Sequence, residues 1–158
     1  MEIRFAEHKD IAGIIELLKQ VGQVHHEGRP DIFRLGTQKY DEKEIMDIMA
    51  DPKTPIFVAV KGDYVLGYCF CVLESYQGER SMTDRKELYI DDFCVHETCR
   101  GQGVGKALYE AVCRYCKKEN CAFITLNVWC CNAPAMKFYE KLGLTPRKIY
   151  MEMALEDQ

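Results

Sequence analysis

One short stretch constrains this chain more than any other: Arg100, Gly101, Gln102, Gly103, Val104, Gly105, Lys106, Ala107 and Leu108. The strand-like run 88–95 precedes it. A helical pattern follows, with Val104, Ala107, Leu108, Ala111, Val112 and Tyr115 on one apolar face. A glycine-rich turn leading from a strand into a helix gathers several backbone N–H groups at one point. The helix dipole adds partial positive charge there, and Arg100 supplies a full charge at the rim. Such a place suits a phosphate or a pyrophosphate.

Two phosphate-binding patterns can be tested letter by letter. A P-loop needs a glycine well ahead of its Gly-Lys pair and a Ser or Thr after the lysine. Here Gly105-Lys106 has Arg100 at the first position and Ala107 at the last, so no hydroxyl is available for magnesium. A dinucleotide fold needs a third glycine where this chain has Lys106, and an acid roughly 20 residues on. The window 121–126 contains no acid, and the glycines follow several other strands rather than the first. Both readings fail.

The rest of the chain narrows the class. Its 158 residues, 47% hydrophobic and 29% charged, suit one soluble globular domain, expected to span 1–158. No apolar run approaches a membrane span, and no charged-then-apolar leader opens the sequence, so the expectation is a cytoplasmic protein without a membrane partner. A net charge of −4 and the lack of a basic stripe argue against nucleic acid. Nine cysteines without an export signal read as reduced thiols. Cys113 and Cys116 lack a second pair at zinc-site spacing, and Cys69 and Cys71 share one face of a strand, as core residues do. No metal is expected.

Periodicity and capping place the elements. A short strand over 3–6 precedes a helix that Asp10 can cap, with Ile11, Ile14, Ile15 and Leu18 at helical spacing. Gly22 is expected to weaken its end, leaving 23–40 irregular. A second helix over 41–50 has Asp41 and Glu44 in capping-box spacing. Strands follow at 55–61 and 64–74, turning at Gly62-Asp63. After a charged loop over 75–86 come the strand at 88–95, the glycine turn, its helix and another strand at 122–129. Asn132 suits an N-cap, Pro134 the first turn of a short helix, and Gly143 its end. Ile149, Met151, Met153 and Leu155 alternate with more polar neighbours, so 147–155 reads as a closing strand.

Taken together, Arg100, Gly103 and Gly105 resemble the Arg/Gln-x-x-Gly-x-Gly/Ala signature of the GNAT superfamily, the acetyl-CoA-dependent N-acetyltransferases. Asn132 and the segment Phe138-Tyr139-Glu140-Lys141-Leu142-Gly143 match its later motifs in order. The resemblance implies an α/β GNAT fold: a mixed, twisted sheet of about six to seven strands with about four helices on both faces, its fourth and fifth strands splaying around the pantetheine arm. It implies acetyl-CoA as cosubstrate and an amine as acceptor. Gly101, Gln102, Gly103, Val104, Gly105 and Lys106, beside Arg100, would hold the pyrophosphate. The main chain of Phe93, Cys94 and Val95 would pair with the pantetheine amides, and Asn132 would contact the same arm.

The resemblance also implies roles for two side chains. Tyr139 would give a proton to the departing thiolate, a task suited to a phenol. Asp91 would assist deprotonation of the amine, because Ile90-Asp91-Asp92-Phe93 is similar to the Leu-Glu-Asp-Phe segment of polyamine acetyltransferases. Strand alternation is expected to put Asp91 and Asp92 on opposite faces. His25 and His26 are further candidates for a base, and Arg29-Pro30-Asp31 for gripping an acceptor carboxylate or stiffening the loop. The acidic run from Glu74 to Asp92 favours a small cationic amine; a protein α-amino group, or acetyl-CoA binding without turnover, are the alternatives. Relatives are often dimers, and the Met-rich closing strand is available to a homodimer interface.

Overall fold

A computed structural model describes residues 1–155 of the chain. It divides into two units, Met1–Asn127 and Val128–Gln158.

The first unit is built on a five-stranded mixed sheet. Strands β1 (Glu2–Phe5), β2 (Ile56–Lys61), β3 (Tyr64–Tyr76) and β4 (Arg85–Val95) pair antiparallel in chain order, and β5 (Phe123–Leu126) joins β4 in parallel. Helix α1 (Ile11–Gly28) covers one face and α3 (Val104–Lys118) the other, with α2 (Glu42–Ala50) beside α1. Alternation along the strands sorts the apolar residues into two cores. Ile14, Leu17 and Leu18 of α1 meet Ile45, Val58, Tyr68, Phe70 and Cys94. Leu108, Ala111 and Val112 of α3 meet Phe57, Ala59, Cys69, Cys71, Leu88 and Ile90 on the opposite face.

Several local expectations hold, and two fail for visible reasons. Asp41 and Glu44 form a reciprocal capping box, each carboxylate accepting the other's backbone N–H at 2.8 Å. Asp10 does not cap α1. It is buried in a 3-10 turn, where it accepts two bonds from the Arg4 guanidinium (2.7 and 3.1 Å) and one from the Glu7 N–H (2.7 Å). Gly22 does not end α1, which runs on to Gly28. A Cβ at position 22 would lie 2.6 Å from the Thr37 carbonyl oxygen, so the glycine lets the α1–α2 connection lie against the helix.

In the second unit, α4 (Ala133–Lys141) begins as expected: the Asn132 side chain accepts the Ala135 N–H at 3.3 Å, and Pro134 stands in the first turn. The helix closes with Gly143 at φ 93°. The closing strand does not form. Residues 147–155 have no strand pairing among the described residues, and Ile149, Met151, Met153 and Leu155 are all more than 80% exposed. Among the described residues the sheet therefore has five strands, not six or seven.

Candidate active site

The glycine turn is built from the end of β4 outward. After Val95, His96 caps a 3-10 turn (Glu97–Cys99) by accepting the Thr98 N–H on Nδ1 at 3.3 Å. The Gln102 side chain folds back onto the Thr98 carbonyl (2.8 Å), and Arg100 Nε reaches the Val95 carbonyl at 3.4 Å. Gly101 and Gly103 take φ of 72° and 83°, the left-handed region that side-chain-bearing residues rarely adopt. The helix starts at Val104, so the N–H groups of Val104, Gly105 and Lys106 are first-turn donors without intrahelical acceptors. A Cβ built at Gly101 or Gly103 would meet nothing within 4 Å. The turn thus has an open amide face at a helix N-terminus, with Arg100 beside it, and it fits a diphosphate.

Beyond the turn lies a length of strand that β5 has left. Parallel pairing of β4 with β5 stops at Ile90 opposite Leu126, so among the described residues β4 keeps only β3 as strand neighbour from Asp91 to Val95. This is the parting of the fourth and fifth strands that the resemblance implied. Phe93, Cys94 and Val95 all lie on it. Gln20, on α1, pins its end: Nε2 donates to the Val95 carbonyl (3.1 Å) and Oε1 accepts the Glu97 N–H (3.1 Å). A lone polar residue on a helix gave no sequence signal for that role.

Asp91 and Asp92 are not on opposite faces. The β3–β4 register shifts between Phe70 and Cys71: Phe70 faces Asp92, Cys71 faces Ile90, and Asp91 is the extra residue of a bulge. Both carboxylates consequently meet groups on the α1 side. Asp91 accepts a short hydrogen bond from Tyr40 Oη and an ion pair from Lys39 Nζ at 3.0 Å. Asp92, buried, accepts from Tyr68 Oη at 3.1 Å. Tyr40 and Tyr68 both pack on Phe70, with ring centroids 5.4 and 5.1 Å away. Burial pushes the Asp92 carboxyl up to about 6, against the lowering pull of Lys39 and Tyr68. Lys39, Tyr40 and Tyr68 escaped sequence reasoning because the bulge that assembles them depends on strand register.

The remaining candidates sort by their partners. His25 and His26 sit in the last turns of α1, not in a loop. His25 stacks on Phe33 at 4.8 Å, and burial followed by the Lys39 charge lowers its pKa. His26 Nδ1–H donates to the Phe33 carbonyl at 2.7 Å. Arg29 grips Asp31 with two bonds (2.9 and 2.7 Å), which stiffens the loop. The acidic run is largely engaged within the chain: Glu74 accepts from Tyr76, Asp84 from the Gly78 N–H, and Glu87 pairs with Arg85 at 2.6 Å. Its pull on a cation is correspondingly weaker than its composition suggests. All nine cysteines are free thiols. Burial, then the Asp92 charge, pushes Cys94 up to about 12, so it stays protonated and poorly nucleophilic near neutrality. Among the described residues, no group of three or more His, Cys, Asp or Glu could hold a metal ion, and no helix is long and apolar enough to cross a membrane.

Hollows lie in the first unit, two of them beside residues already named. A small one, about 50 Å³, is lined by Tyr40, Phe70, Cys71 and Asp91 among others. The larger, about 420 Å³, lies between Phe5, Met49, Pro55 and Tyr115 and includes no residue of the turn or the aspartate pair. The chemistry-bearing groups favour the former. In the second unit, Tyr139 lies on α4 with its ring 5.2 Å from that of Phe138, and Asn132 caps the same helix.

The model of the acetyltransferase (GNAT) family matches residues 14–144. The chain belongs to the GNAT acetyltransferase family. A Bacillus subtilis (strain 168) protein named as a ribosomal protein bS18-alanine N-acetyltransferase is 24% identical over 102 residues, 63% of this chain. The chain spans 60% of the length of that curated relative. A crystal structure of a mutant BH1408 protein from Bacillus halodurans is 32% identical, with a TM-score of 0.95 over 99% of this chain and 100% of that one. An aminoglycoside N-acetyltransferase, AAC(6')-Iy, solved in complex with CoA, shares the fold at 15% identity, with a TM-score of 0.71 over 99% of this chain and 100% of that one.

Proposed function

We propose that this protein transfers the acetyl group of acetyl-CoA directly to a primary amine within a ternary complex, in a single acetyltransferase domain spanning residues 1–158 and acting in the cytoplasm. One observation carries the reading: an open left-handed glycine turn starts α3 at the end of a β4 edge that β5 has left. In this proposal the amides from Gly101 to Lys106 and the Arg100 side chain hold the diphosphate, as at other helix N-termini. The β4 main chain at Phe93, Cys94 and Val95 aligns the pantetheine arm, joined by Asn132. Bound acetyl-CoA supplies the thioester, and held orientation supplies much of the acceleration.

The proton steps fall to side chains. Asp91 assists removal of a proton from the acceptor ammonium, through water. Its bonds to Lys39 and Tyr40 hold the carboxylate in place while that happens. Asp92 is a second reading for the same step, favoured by its carboxyl lying near 6, well suited to a base at neutral pH. Tyr139 donates to the leaving thiolate, a role resting on its place in the Phe-Tyr-Glu-Lys-Leu-Gly segment. Direct transfer, rather than an acyl-cysteine route, agrees with the high pKa of Cys94.

The acceptor we propose is a small-molecule amine. The name of the Bacillus subtilis relative favours a second acceptor class, the α-amino group of a protein. Release of CoA thiol, followed with polyamines, amino acids, aminoglycosides and N-terminal peptides, separates these readings. Turnover with a small amine supports the first, turnover with peptides alone replaces it with the second, and binding of acetyl-CoA without turnover on any acceptor overturns the catalytic proposal.

A further inference from the structure

The free end of β4 and the glycine turn are joined through residues 95–97, and three elements converge on that joint. From β3, the Leu66 carbonyl accepts the His96 N–H at 2.8 Å. From the turn, Arg100 brings Nε to the Val95 carbonyl at 3.4 Å. From α1, Gln20 brings a whole amide. Its Nε2 donates to the same Val95 carbonyl at 3.1 Å and to Cys94 Sγ at 3.4 Å, and its Oε1 accepts the Glu97 N–H at 3.1 Å. One side-chain amide thus bonds a carbonyl and an N–H two residues apart, as a neighbouring strand would. β5 supplies no such partner here, because its pairing with β4 stops at Ile90. Gln20 also stands on a fixed base. Leu17 and Leu18, just before it on α1, are fully buried in the core that takes Cys94.

This joint separates the two places where acetyl-CoA would be held. In the proposed reaction, on which this inference rests, β4 at 93–95 meets the pantetheine arm and the turn from Gly101 meets the diphosphate. Two subsites at a fixed spacing bind a linked ligand far better than two that move independently, since the second contact becomes intramolecular. We infer that Gln20 is a positioning residue for acetyl-CoA. Acting through the Val95 carbonyl and the Glu97 N–H, it fixes the spacing between the pantetheine edge and the diphosphate turn. It also holds the carbonyl on which Arg100 rests, so the charge beside the turn shares the same anchor.

Isothermal titration of the full chain with two probes, acetyl-CoA and ADP, tests this. ADP carries a diphosphate without the pantetheine arm, so it reads the turn alone. Gln20→Met keeps the side-chain length and removes both main-chain bonds. The variant should bind acetyl-CoA about 30-fold more weakly and ADP within about threefold of the wild type, because only the linked ligand depends on the spacing. Circular dichroism should be unchanged. Should Gln20→Met fail to fold, Gln20→Asn, which keeps the amide but withdraws it by one methylene, carries the same expectation. Unchanged affinity for acetyl-CoA overturns the inference. Equal weakening of both probes also overturns it, since that would mean general damage to the turn, as does a wild type that binds acetyl-CoA but not ADP. A wild type that does not bind acetyl-CoA contradicts the proposed function itself, whereas tight binding indifferent to residue 20 removes the role of Gln20 alone.

Discussion

Asp92 ionises against the pull of its surroundings. Burial raises its carboxyl to about 6, and neither Lys39 nor Tyr68 cancels that rise. The folded chain therefore binds a proton that the unfolded chain releases near 3.8. The site supports folding fully below that ordinary value and loses the support as pH climbs through about 6. Asp92→Asn should accordingly stabilise the protein at pH ~8, by about 3 kcal/mol, and bring no such gain below pH ~4; thermal melts across that range read the difference. The same pair of aspartates can be separated in catalysis. If Asp91 is the base, Asp91→Asn lowers kcat by about 100-fold and Asp92→Asn does not; the reverse outcome transfers the role to Asp92. Tyr139→Phe should lower kcat by about 100-fold, as loss of a general acid does, with KM for acetyl-CoA within about twofold. Unchanged kcat at saturation would remove Tyr139 as the proton donor.

At the scale of elements, the glycine turn is the piece most open to a clean test. Gly103→Val puts a β-branched residue at φ 83°, which costs roughly 1–2 kcal/mol of backbone strain and sets a side chain on the amide face. Affinity for acetyl-CoA should fall at least about 100-fold while Tm drops only a few degrees; tight binding retained by a folded variant would count against the diphosphate assignment. This element was legible from the sequence because its glycines, its arginine and the flanking apolar periods are all local. So were the Asp41–Glu44 box and the Asn132 cap. Gly22 misled because its reason is the Thr37 carbonyl, distant in sequence. The Asp91–Asp92 faces misled because one shifted register at Phe70 and Cys71 breaks the alternation that assigns them. The closing strand misled differently: its pattern is that of a strand, but a pattern does not say which edge it pairs with. Left in water, such a row forfeits roughly 1.5–3 kcal/mol per large side chain.

Across the first unit, helices cover both faces of the sheet that holds β4, while the far half of β4 stands clear of β5. That arrangement makes a backbone slot end in the glycine turn, with the Asp91–Asp92 bulge along the same strand. Membership of the acetyltransferase family points to acyl transfer as the reaction type; the Lys39 and Tyr40 contacts with Asp91 are ones that sequence motifs do not encode. The whole account depends on the turn from Gly101 to Lys106 gripping coenzyme A. Isothermal titration of acetyl-CoA into the full chain tests that most directly. One site per chain, weakened at least about 100-fold by Gly103→Val, is the predicted result; absence of binding heat at several temperatures would contradict it.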